Sequence, residues 1–165
     1  MPWEVTIVNY AGSPPASYHA PGRPDPQPLG ARDDVIAAIR EAVPEFQWGM
    51  VGGFPPEILA KFSPDVAAIL SKQKLKALYD TGELYLLLYG FEQEPIGYLH
   101  AEVRGTGNPV PLLARACADR NWSVTSDADG SFVDLSAATA PQWDGFQAYR
   151  DRAISGVYDR DGKPT

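Results

Sequence analysis

The sequence predicts an α+β fold: one domain over residues 1–155, in which an antiparallel or mixed sheet is covered by three or four helices. Three observations lead there. Residues 84–91 (Leu-Tyr-Leu-Leu-Leu-Tyr-Gly-Phe) form an apolar run bounded by Gly82 and Pro95, too short for a lone helix, and read as a strand buried on both faces. Residues 98–104 alternate, with Leu99, Ala101 and Val103 on one side and Tyr98, His100, Glu102 and Arg104 on the other. Elsewhere, apolar residues recur at helical spacing in four stretches.

In chain order, Trp3–Val8 reads as a first strand, with Trp3, Val5 and Ile7 set against Glu4 and Thr6. Residues 10–30 carry Pro14, Pro15, Pro21, Pro24, Pro26 and Pro28 among Gly, Ser and Asp, and are a loop. A helix follows over 32–43, with Val35, Ile36, Ile39 and Val43 as its buried stripe, Asp33 and Asp34 at its positive end, and Pro44 as its stop. Phe46-Gln-Trp48 opens a second strand, and Gly52-Gly-Phe-Pro-Pro56 breaks it. Ser63-Pro-Asp65 starts a helix that the pattern carries to about Tyr79, with Val66, Ile69, Leu70, Gln73 and Leu78 on one side. On that reading Lys61, Lys72, Lys74 and Lys76 are a solvated helix face.

The run 84–91 and the strand 98–104 pair as antiparallel neighbours. Gly105–Pro109 then turns the chain into a short helix ending near Asn121, with Leu112, Leu113, Ala116 and Cys117 on its apolar side. Trp122–Ser126 and Ser131–Leu135 flank Asp127-Ala-Asp-Gly130 as a hairpin. Thr139-Ala-Pro-Gln142 has the form of a capping box for a last helix to about Ile154, with Trp143, Phe146, Arg150 and Ala153 on one side. Residues 156–165 are expected to be a loose tail.

A net charge of −7 argues against nucleic acid or anionic membrane as the partner, because both are negative themselves. The N-terminus lacks a basic region followed by a long apolar run, and no stretch approaches the roughly 20 apolar residues of a membrane span. With a single cysteine there is no internal disulfide, so the reducing cytosol is the expected location.

Phosphate-cradling, dinucleotide-binding and nucleophile-elbow motifs are absent, so no cofactor is expected. One Cys and two distant His suit no zinc site. Asp127-x-Asp129-Gly130 has the look of a calcium loop. Aligning its glycine, however, leaves Thr125 and Ser136 where Asp and Glu are required, so a turn is expected and no metal. His100, Glu102 and Arg104 share one face of a strand. There Glu102 could orient His100 as a general base while Arg104 holds an anion, with Tyr85 and Tyr89 joining if the register allows. A charged, solvent-facing strip, with Glu102 and Arg104 paired across strands, is the reading preferred.

The succession Leu29-Gly-Ala-Arg-Asp-Asp-Val-Ile-Ala-Ala-Ile39, Pro44-Glu-Phe-Gln-Trp48, Leu99-His-Ala-Glu-Val-Arg-Gly105, Asn108-Pro109, Asn121-Trp122 and Val133-Asp-Leu135 resembles a group of small bacterial proteins. These are similar in size and style to the immunity proteins of polymorphic toxin systems. The resemblance carries over no catalytic residue, and the proline-rich loop and segment 52–80 stand outside it as insertions. It implies a non-enzymatic, cytosolic protein-binding domain that neutralises a basic toxin by occlusion. The expected contacts are loop-tip carboxylates, Glu92 and Glu94 in one turn and Asp127 and Asp129 in another. The alternatives are a small hydrolase or transferase using His100 and Glu102, and a structural or adaptor module.

Overall fold

Residues 1–157 are described by a computed structural model. The strands are β1 (Trp3–Asn9), β2 (Gln47–Gly52), β3 (Gln73–Asp80), β4 (Leu84–Tyr89), β5 (Leu99–Gly105) and β6 (Trp122–Ser126). The helices are α1 (Arg32–Ala42), α2 (Pro56–Leu59), α3 (Pro64–Leu70), α4 (Val110–Ala116) and α5 (Pro141–Val157). The six strands form one sheet in the order β2-β3-β4-β5-β1-β6, and every pairing is antiparallel. The expected tail begins within the last two residues of α5 and otherwise lies outside the described residues.

Alternation dictates the two faces. Leu84, Leu86 and Leu88 on β4, Leu99, Ala101 and Val103 on β5, Trp3, Val5 and Ile7 on β1 and Val124 on β6 are all buried on one face. Val35 and Ile39 of α1, four residues of α4 and Trp143 of α5 belong to the same core. Each fully buried aliphatic side chain contributes roughly 1.5–3 kcal/mol. The opposite face carries Tyr85, Leu87 and Tyr89 of β4, all half-buried, so β4 is covered fully on one side only, not on two.

The helix expected from Ser63 to Tyr79 is corrected. It ends at Leu70, Ser71 turns back onto the Ala68 carbonyl (2.9 Å), and Gln73–Asp80 is the strand β3. The reason is a change of period. From Gln73 onward, Leu75, Ala77 and Tyr79 alternate with Lys74 and Lys76, so the lysines stand on a strand beside β2 and β4. Residues 131–135 are likewise not a full strand. Only Phe132 bridges Thr125, with the Val133 N–H donating to the Val124 carbonyl (2.8 Å), because Asp134 and Ser136 close their own turn. That short bridge covers the outer edge of β6.

The proline-rich loop is tied down at both ends. Gln27 N–H donates to Asn9 (2.7 Å) and Tyr18 N–H to Gly130 (2.7 Å). A side chain at Gly130 would run into His19, and its φ of +70° favours glycine in any case. Further on, Leu29 and Gly30 exchange backbone hydrogen bonds with Ile96. This places the Glu94 carboxylate 3.2 Å from the Arg32 N–H at the start of α1, whose own N-cap residue, Ala31, offers no side-chain cap.

Candidate functional site

The half-buried face of the sheet carries a strip of polar and aromatic side chains. Register sets His100 opposite Thr6 on one side and Tyr89 on the other, Glu102 opposite Glu4, and Arg104 opposite Tyr85. Tyr89 and Tyr98 both pack against the His100 ring, with centroids 5.4 and 5.0 Å away. Thr6 has one hydroxyl proton and gives it to Asp127 Oδ1 (2.7 Å). The 3.0 Å contact between Thr6 Oγ1 and His100 Nδ1 therefore has the imidazole as donor. The result is a relay, His100 to Thr6 to Asp127, that fixes the Nδ1–H tautomer of the neutral ring and leaves the Nε2 lone pair unused.

This differs from the expected arrangement. Glu102 does not orient the histidine; it takes Arg104 of its own strand at 3.3 Å, along the strand and not across it. Asp127, expected as a docking carboxylate, is the acid beside His100, with its Oδ2 4.0 Å from Nδ1. Glu4 and Glu102 face one another as like charges. Burial raises the Tyr89 pKa above the usual phenol range, and the negative field of Glu4, Glu102 and Asp127 raises it further. Among the described residues, no hydroxyl or thiol is hydrogen-bonded to His100 Nε2, so no activated nucleophile stands there.

The other carboxylates of the loop tips are not free. Glu92 pairs with Lys74 of β3 (3.3 Å), and Glu94 serves α1. Asp129 accepts two hydrogen bonds from Ser131, from its hydroxyl (2.7 Å) and its N–H (3.0 Å), and these hold its pKa below the usual carboxylate range. Asp127 and Asp129 both border a cavity of about 790 Å³ at the end of the sheet where β1 begins and β6 finishes. His100 does not line it. Among the described residues no three His, Cys, Asp or Glu side chains are placed to hold a metal ion.

A third feature lies at the tip of the β2–β3 hairpin, and the sequence pattern did not reveal it. Of the eleven large apolar side chains exposed among the described residues, seven fall within residues 50–69: Met50, Val51, Phe54, Ile58, Phe62, Val66 and Ile69. Neither α2 nor α3 buries a single residue, although Val66 and Ile69 share one side of the expected helix with Leu70. Helices of four and seven residues draw their stability from packing, and these two pack against almost nothing. The hairpin also ends the sheet. Among the described residues nothing pairs with the outer edge of β2, which carries neither a charged residue nor a proline.

No protein-family model, curated protein or solved structure matches the chain. No helix among the described residues is long and apolar enough to cross a membrane.

Proposed function

We propose that the chain is a non-enzymatic protein-binding domain of the cytosol, which acts by covering a surface of its partner. The observation that carries this reading is the concentration of exposed apolar side chains on the β2–β3 hairpin and its two uncovered helices. Large apolar side chains exposed together on one excursion of a folded chain favour an interaction site. The partner is proposed to be a basic protein, a bacterial toxin if the resemblance to immunity proteins holds. A net charge of −7 favours encounter with such a molecule, while the apolar hairpin supplies the contact that holds it.

Co-expression with the product of the neighbouring gene, the proposed toxin, tests the reading. The wild type should protect the cell and co-elute with the toxin. A Phe54→Ser, Phe62→Ser, Ile69→Ser variant should lose both while keeping its circular dichroism spectrum, and His100→Ala should keep both. The hydrolase or transferase reading rests on the His100–Thr6–Asp127 relay with its unused Nε2. If His100→Ala abolishes protection while folding and co-elution survive, that reading replaces the binder.

A further inference from the structure

We propose that the cavity at the β1/β6 end of the sheet is a binding site for an organic ammonium group carried on an apolar stem. Its walls supply both halves of that recognition. Trp3, Phe146 and Tyr149 give aromatic surface, and Pro2 and Pro141 give further apolar surface. Glu4, Asp127 and Asp129 stand around it, and among the described residues no Lys, Arg or His side chain lines it.

The decisive point is the inventory of polar atoms. Asp129 commits one oxygen to Ser131, which fixes its orientation and leaves the second oxygen open, while Asp127 gives one oxygen to Thr6 and stands with the other 4.0 Å from His100 Nδ1. The Glu4 carboxylate has no hydrogen bond or ion pair among the described residues. The Gln142 amide nitrogen is spent on Ser131 Oγ and the Phe132 carbonyl, both at 3.1 Å, while its Oε1 is buried with no partner. The polar groups left open to the cavity, Glu4 and the second oxygen of Asp129, are therefore acceptors, so the site asks for a donor bearing positive charge. Trp3 is held in place by its indole N–H on Ser126 Oγ (3.1 Å), which sets the ring before any ligand arrives. An ammonium beside Trp and Tyr faces gains cation–π attraction in addition to the carboxylates. The volume of about 790 Å³ admits a stem much larger than the ammonium itself. A bare divalent cation is a poor fit, since no three acids converge.

Such a group reaches the site either as a free amine or as a lysine side chain of a polypeptide. Three probes separate these sources and test the charge: phenethylamine, its neutral analogue 2-phenylethanol, and Nα-acetyl-lysine methylamide. The readout is the Trp3 indole N–H resonance of the full chain during titration. One or both cations should shift it saturably, and the alcohol should bind about tenfold more weakly, a difference of about 1.4 kcal/mol. Glu4→Gln, at an exposed strand position, should weaken the cations alone, and so should Asp129→Asn, which keeps an acceptor for Ser131. Tighter binding of the lysine derivative assigns a polypeptide source, and tighter binding of phenethylamine a small arylalkylamine. The proposal is overturned if the alcohol binds as well as the amine, if both substitutions leave cation affinity unchanged, or if neither cation saturates the Trp3 shift by about 10 mM.

Discussion

Cys117 offers a quantitative test of the core. It follows α4 directly, is 4% exposed, and burial pushes its thiol pKa up to about 12 from an ordinary value near 9. Only the thiolate reacts with a thiol reagent, so at pH 8 its share falls from about one in ten to about one in ten thousand. Labelling of the native chain should therefore be at least about a thousandfold slower than labelling of the urea-unfolded chain at the same pH. The same shift makes stability pH-dependent. The folded thiol keeps its proton where the unfolded one has lost it, so the contribution is complete below about pH 9 and is lost at about 1.4 kcal/mol per pH unit as pH rises toward 12. Cys117→Ala removes this titration at a constant cost of about 1 kcal/mol for the lost packing. Urea midpoints should place the wild type above the variant at pH 8, with the gap closing and reversing above about pH 10. A gap that does not change with pH, or native labelling within tenfold of the unfolded rate, would refute the burial argument.

Two further outcomes follow from local geometry. Gly105 has φ +98°, and an added Cβ would collide with the Glu83 carbonyl, so Gly105→Ala should cost more than about 2 kcal/mol in urea unfolding. Thr6→Val breaks the relay, so ¹⁵N spectra of the His100 ring should show the Nδ1–H tautomer in the wild type and a shift toward Nε2–H in the variant.

The parts of the fold legible in the sequence are those where one period persists through an element. β5 alternates without interruption, and Leu99, Ala101 and Val103 are buried as the alternation requires, whereas the unbroken apolar run of β4 hid that only one of its faces is fully covered. β3 escaped because Val66, Ile69 and Leu70 set a helical spacing that Gln73 and Leu78 happened to continue, while the switch to alternation sat behind Ser71 and Lys72. The relay could not be read at all. Thr6, His100 and Asp127 meet only through sheet register, from positions 94 and 121 residues apart. The cavity likewise draws its walls from Met1–Glu4, residues 126–129 and the first half of α5, three separate stretches of sequence. The apolar hairpin was hidden for a different reason. An apolar stripe in sequence reads as buried whether it faces a core or open solvent, and only the absence of anything packed on α2 and α3 tells the two apart.

Residues 54–70 leave the sheet through β2 and return through β3, and the Phe54 N–H donates to the Leu70 carbonyl (3.1 Å) to close the neck of the excursion. Entry and exit are thus two neighbouring strands whose register is set below the neck, by Trp48 opposite Ala77 and Met50 opposite Leu75. The segment above the neck contributes nothing to the buried core. It is consequently an exchangeable cartridge: its sequence and length can drift or be grafted wholesale without disturbing the rest of the molecule. On the proposed binding role, a chain built this way acquires a new partner by rewriting one loop, under selection separate from the selection that keeps the sheet folded.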